Sequence, residues 1–433
     1  MVADESPTAA IRRDPAAIEV RCAPAIGERS GPRERKIRRF GPYPEPVTTS
    51  THTTGHRTRP GLPPAATLEL FYDLIFVAAI VVLSDSYSHS PTAQDLGWLA
   101  IVFALIWLVW MQTSLLFNLS GSDSSIIRFM VLAQMMLLVL AAVSASDGVY
   151  EHSEYVGPIY AVILLLLAAM HWFIERSDAG MRRYVRRRIA ACLVGAVIFV
   201  ATPLYPDPGY LIFWIAGFLV ILAPSLHPDP MAGRPVRREH LVERFGAFTI
   251  IMLGESFVKT ALTASIGQME GLDLICLTGT FLIVFSIWWL YFAHVPEAGP
   301  PTGHSGHVAW MMTHLPLHLC IVGIAVGAAK AISQSDHDLE PQIIPFLSVP
   351  LVGVLTSLAV LELLAGEGRS NKVAGLYAGV AASVLALGLL AAAFDPEGIE
   401  ATSLVLAALM IGTVVVVTRL RAGDRAAALA ADG

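Results

Sequence analysis

Two carboxylates four residues apart, Glu69 and Asp73, open the first long apolar run of this chain. That spacing puts both on one face of a helix. An ionised carboxylate in mid-bilayer costs about 2.5–3.5 kcal/mol on insertion scales, so it is expected to face the protein interior or a watered path. In a first helical turn an acid also complements the helix dipole, here behind a candidate cap at Thr67. Glu69 and, at the head of a later run, Glu243 are open to that plain reading. Asp73 lies a turn deeper, where the dipole accounts for it less well.

The later run adds Arg244, Phe248, Ile251 and Glu255 at i, i+4, i+7 and i+11, a single helical face. At 1.5 Å per residue Glu255 stands about 16 Å along the axis from Arg244, too far to pair with it. Arg244 is therefore expected to seek Glu69 or Asp73, and Glu255 to seek Lys259. Gly254 is read as a point of close helix approach. A third stripe holds His307, Met311, His314 and His318. Histidines so placed can relay protons or handle a cation, ligate a metal or haem, sense pH or hydrogen-bond between helices. The His314/His318 pair lacks an HExxH pattern and an acidic third ligand, so neither a metal nor a cofactor is predicted. Pro316 between them frees a backbone carbonyl. Trp98, Trp107, Trp110, Trp288, Trp289 and Tyr291 read as interface belt or lipid-facing mass.

The setting for these groups is set by composition. The 433 residues are 55% hydrophobic and only 15% charged, with a mean hydropathy of +0.61. A soluble surface needs roughly 25% charged residues, so the apolar surface must face lipid, in segments of about 20 residues. Runs recur at 68–86, 96–117, 126–146, 156–175, 187–204, 209–225, 241–262, 271–293, 307–330, 343–365, 372–394 and 401–419. The predicted fold is all-α, a polytopic transmembrane bundle of about 12 spans. Spans five and six, joined across Pro203, Pro206 and Pro208, could instead form a re-entrant hairpin. Residues 1–66 carry eleven Lys or Arg and read as a disordered basic cytoplasmic tail; 421–433 reads as a short second tail. Four scattered cysteines, with no CxxC, offer no disulfide framework.

Charge tests the count. Arg182, Arg183, Arg186, Arg187 and Arg188, then Arg237 and Arg238, then Arg419, Arg421 and Arg425 fall in every second loop. The alternate loops hold acids instead, and only Lys259 and Lys330 fall on that side. By the positive-inside rule both termini are cytoplasmic. An internal likeness divides the chain into repeats at 67–226 and 240–420. Leu68-Glu69-Leu70-Phe71 matches Val242-Glu243-Arg244-Phe245, Ile106-Trp107-Leu108-Val109-Trp110 matches Ile287-Trp288-Trp289-Leu290-Tyr291, and Gln134 aligns with His314. Six spans per repeat makes the repeats parallel, as in many transporters.

Leu68 through Val77, with its Glu-Leu-Phe-Tyr-Asp core, resembles the opening signature of the bacterial low temperature requirement protein A family. His240-Leu241-Val242-Glu243-Arg244-Phe245-Gly246, running on to Ile251-Met252-Leu253-Gly254-Glu255-Ser256, is similar to that family's second hallmark. Trp288-Trp289-Leu290-Tyr291-Phe292 and His314-Leu315-Pro316-Leu317 match two more. The family usually places an acid just after the Trp-Trp-Leu-Tyr-Phe block, where this chain has Ala293-His294. The resemblance implies architecture rather than activity. The first helix is also similar to the pore-lining first helix of a lysosomal and bacterial potassium-channel family, with Tyr72 where that motif has serine.

These readings converge on a passive or ion-coupled transporter or channel. Its polar network would comprise Glu69, Asp73, Glu243, Arg244, Glu255, His314 and His318. Its partners would be membrane lipids and a small ion or small-molecule substrate, with no nucleic acid, and it would act as a monomer or two-fold dimer. The alternatives are a membrane enzyme using Glu255 and His314 as an acid–base pair on a lipid or quinone, and a non-transporting scaffold. No Walker loop, GxGxxG or GxSxG is present, so ATP-driven transport by this chain alone is not expected.

Overall fold

Backbone N–H and C=O groups find no water in a bilayer core, so an apolar run of this length is driven into helix. The computed structural model describes residues 64–86, 93–120, 124–146, 153–177, 182–204, 210–227, 237–266, 271–333, 343–365, 371–394 and 398–431. Those residues belong to one compact unit, Pro60–Gly433, and among them no strand occurs. The helices are α1 Pro64–Ser86, α2 Ala93–Ser120, α3 Ser125–Ser146, α4 Ser153–Ser177, α5 Arg182–Val200, α6 Tyr210–Leu226, α7 Arg238–Ile266, α8 Gly271–Phe292, the short α9 Val295–Ala298, α10 His304–Ser333, α11 Ile343–Leu364, α12 Asn371–Phe394 and α13 Ile399–Ala431.

Eleven of these are long and apolar enough to cross a membrane; the apolar part of α6, Leu211–Leu226, is shorter. The tail predicted over 1–66 lies outside the described residues, apart from Pro64–Ala66, which already belong to α1. Over the second predicted tail, 421–433, α13 stays helical to Ala431. Its basic end is tied down, Arg421 to Glu362 and Arg425 to Glu297 with Nη2–Oε2 at 2.9 Å.

The outer surface is apolar. On α3, Phe129, Leu132, Met136, Leu140 and Val143 face outward as a helical stripe, a pattern that only lipid can cover. The interior stripe of the same helix carries Val131, Gln134, Met135 and Leu138. Enclosure is greatest along α2 and α10, whose spans are 83% and 72% buried.

Packing follows one pattern twice. In the first half α1 packs on α3, α3 on α4, α4 on α5, α5 on α6, and α6 returns to α2. In the second α7 packs on α10, α10 on α11, α11 on α12, α12 on α13, and α13 returns to α8. The halves meet where α1 lies along α7 and where α2 reaches across to α7 and α10.

Small residues set the closest approaches. A Cβ on Gly327 of α10 would lie 2.5 Å from the Phe346 carbonyl oxygen of α11, and one on Gly323 would lie 2.8 Å from Pro350. Gly254 is a correction. Nothing lies within 4 Å of a Cβ built there, so no helix uses it for close approach. Gly254→Ala is accordingly expected to leave the thermal unfolding midpoint unchanged or slightly raised, since alanine is the better helix former by about 1 kcal/mol.

Candidate functional site

The α1–α7 seam holds a buried ionic centre. Asp73 is 0% exposed and Arg244 4%. The guanidinium forks onto the carboxylate, Nη1 to Oδ2 at 2.9 Å and Nη2 to Oδ1 at 2.7 Å. Trp110 of α2 donates its indole N–H to the same Oδ1 at 2.7 Å. Glu69 Oε2 stands 3.5 Å from Arg244 Nε and 3.0 Å from His240 Nε2. Asn118, at the end of α2, reaches His240 Nδ1 at 3.4 Å and donates to the Arg237 carbonyl at 2.9 Å. Charge-assisted, bidentate bonds of this kind are the strong ones. They satisfy Asp73 inside an oily bundle.

Beyond this centre the seam is aromatic. Trp110 stacks on Phe248 with centroids 4.2 Å apart, and Phe248 meets Phe76 at 5.2 Å and His318 at 4.7 Å. Trp107 donates its N–H to His318 Nδ1 at 3.0 Å. His318 Nδ1 therefore accepts, and Nε2 carries the hydrogen that goes to Thr249 Oγ1 at 2.9 Å. Thr249 passes its own hydrogen to the Phe245 carbonyl at 2.7 Å. His314 donates from Nδ1 to the Trp310 carbonyl and accepts at Nε2 from the Tyr291 hydroxyl, 3.0 Å away. In the first half a comparable chain runs from the Tyr72 hydroxyl to Thr113 at 3.4 Å and on to Gln134 at 3.1 Å. Gln134 on α3 and His314 on α10 thus each take part in a buried hydrogen-bonded chain.

At the far end of the seam Lys259 lies 3.3 Å from Ser84 Oγ and 3.5 Å from Asp85 Oδ1. Of the residues singled out from sequence, Glu69, Asp73 and Arg244 come together, and His314 and His318 adjoin them through the aromatic layer. Two do not join. Glu243 is exposed at the head of α7, as its first-turn position allows. Glu255 is half-buried and makes no hydrogen bond or close ion pair with the described residues; it lies near enough to Lys259 to feel its charge, but the acid in contact with Lys259 is Asp85. The Glu255–His314 acid–base pair of the enzyme alternative is not assembled. Both His314 ring nitrogens are engaged elsewhere, and Phe245, which packs on His314 at 4.8 Å, precedes Glu255 by about 15 Å of helix.

Sequence reasoning missed Trp107 and Trp110, assigned to the lipid boundary but 0% exposed. Trp98 and Tyr291 are also buried, whereas Trp288 and Trp289 remain partly exposed as expected. His294, where the family usually has an acid, is buried too. Asn118, His240 and Thr249 were equally unassigned, although the i, i+3 spacing of Trp107 and Trp110 already put both on one helix face.

A bundle of long apolar helices, greasy outside and carrying paired charges inside, is that of a multi-pass membrane protein. The chain belongs to the bacterial low temperature requirement A protein family, whose sequence model matches residues 64–418. It is 25% identical over 278 residues to an uncharacterized protein of Rhizobium meliloti (strain 1021), covering 60% of this chain and 67% of that one.

Proposed function

We propose that this protein is a passive or ion-coupled transporter or channel whose polar pathway follows the α1–α7 seam, held closed in this conformation. One observation carries the reading. Ionisable groups occupy both ends of the seam, Glu69, Asp73, His240 and Arg244 at one and Asp85 and Lys259 at the other. Arg244 and Lys259 are about 22 Å apart along α7, most of a hydrocarbon core. Charges inside a membrane bundle mark substrate or ion paths more often than they mark stability. Between them Thr249 and His318 provide the polar step, and Phe76, Trp110 and Phe248 the closure.

Two further features support this reading. The doubled packing pattern fits two parallel six-helix repeats, with the seam where they meet. The arginine-rich helix ends suit a bacterial inner-membrane protein with both termini in the cytoplasm. A small ion or small molecule is the substrate class, and the chain acts as a monomer or a two-fold dimer.

The test is flux into liposomes holding the purified full-length chain, assayed for protons, potassium, sodium and chloride in turn. Wild type should conduct at least one, and Asp73→Asn should reduce that flux about tenfold or more, with Glu243→Gln unchanged. Absence of flux for all four ions would reject the reading, as would an unaffected Asp73→Asn.

A further inference from the structure

Arg188 was read from sequence as one of several loop arginines, but the structure places it inside. It is 5% exposed, six residues and so about 9 Å into α5 from Arg182. Its neighbours along the helix, Arg182, Arg183, Arg186 and Arg187, stay exposed. Among the described residues Arg188 has no carboxylate partner. Its Nη1 bonds Gln112 Oε1 and its Nη2 donates to Ser225 Oγ at 3.3 Å. The guanidinium carbon lies 4.6 Å above the Tyr184 ring. The other groups near enough to feel its charge, His171 and Cys192, are not carboxylates. Such a buried, uncompensated cation is expensive, because several kcal/mol of hydration are lost and no opposite charge returns them.

Two donors here remain unused. Among the described residues Arg188 Nε–H has no acceptor. Ser225 Oγ accepts from Arg188 and, at 3.4 Å, from Gln112 Nε2, so its own hydroxyl hydrogen is spare. Gln112 is fixed in this sense by its second bond to the Ile221 carbonyl at 3.2 Å. His304 closes the same junction, its ring 2.8 Å from the Ser225 carbonyl. The junction of α2, α5 and α6 thus offers a net positive charge, the Nε edge of a guanidinium and a hydroxyl, with no carboxylate among the described residues to receive them.

We infer that Arg188 anchors an oxyanion-binding site that takes a phosphate group at the basic end of the bundle. Phosphate fits because its oxygens accept the guanidinium edge and a hydroxyl together, as a single point charge does not. The same group can arrive on an anionic lipid headgroup or as free phosphate. The site is separate from the α1–α7 seam, so it stands whether or not the chain transports ions.

The experiment uses the purified full-length protein in neutral detergent and follows its thermal unfolding midpoint. One arm adds inorganic phosphate against chloride at equal ionic strength. The other adds phosphatidylglycerol against phosphatidylcholine in mixed micelles. One arm should raise the midpoint saturably, and which one identifies the source. Arg188→Gln should weaken the half-saturating concentration about tenfold, while Arg183→Gln should stay near wild type. Should Arg188→Gln not fold, Arg188→Lys keeps the charge but loses the guanidinium edge, and should weaken binding about threefold or more. The inference is overturned if neither phosphate nor phosphatidylglycerol outperforms its control, or if every Arg188 variant that folds responds like wild type.

Discussion

Arg244→Leu is expected to destabilise the protein by about 3–5 kcal/mol, the range for breaking a buried ion pair from one side. The reason is what stays behind. Asp73 would keep only the Trp110 N–H at 2.7 Å, and its Oδ2 would lose its bond from Arg244 Nη1. Neutralising Asp73 as well removes the stranded charge, and Glu69 keeps His240 at 3.0 Å, so Asp73→Asn combined with Arg244→Leu should recover part of the loss. Denaturant titration of the purified protein in mild detergent, followed by tryptophan fluorescence, measures both variants against wild type. A double variant as unstable as Arg244→Leu alone would mean that the cost lies in packing around the guanidinium rather than in the stranded carboxylate.

Gly327→Val should be the most damaging substitution away from charge. Its Cβ would fall 2.5 Å from the Phe346 carbonyl oxygen and 2.8 Å from that carbonyl carbon. Both atoms are backbone and cannot rotate aside, so α10 and α11 must separate. Overpacking of this kind costs about 1–3 kcal/mol and occasionally more. Because α10 also carries His314 and His318, the shift should disturb the Trp107–His318 bond, 3.0 Å in the native seam. Thermal unfolding with a tryptophan-emission readout tests both effects, and Gly254→Ala is the matched control.

How much of this was legible in the sequence depended on contrast. Asp73 and Arg244 stand out because a charge in an apolar run is rare, and the i, i+4 rule gives each a face. That rule says nothing of which helix will lie opposite. The Arg244–Asp73 contact spans 171 residues, and only the likeness of two helix starts hinted at it. Lys259 shows the limit from the other side. Glu255 is its neighbour one turn away in sequence, yet Asp85 at the end of α1 is the ion that it meets.

Tryptophan was misread for a related reason. In a membrane sequence its apolar body suits the lipid boundary as well as the core, and only its neighbours decide. On α2, where almost every face is covered, Trp107 and Trp110 spend their N–H groups on His318 and Asp73. On α8, which leaves one side open, Trp288 and Trp289 do not enter the core. Glycine shows the same blindness. Gly254 and Gly327 look equivalent in sequence, but one faces open space and the other a carbonyl.

The long span between Asp73 and its cation also imposes an order on biosynthesis. At roughly 5–20 residues per second, the ribosome needs roughly 9–34 seconds to add the 171 residues that separate the acid from Arg244. Until Arg244 has been added, the acid of the first helix has no counter-charge from α7. Trp110, only 37 residues behind Asp73, is the earliest group able to chaperone it, so the indole serves the growing chain before it serves the finished one.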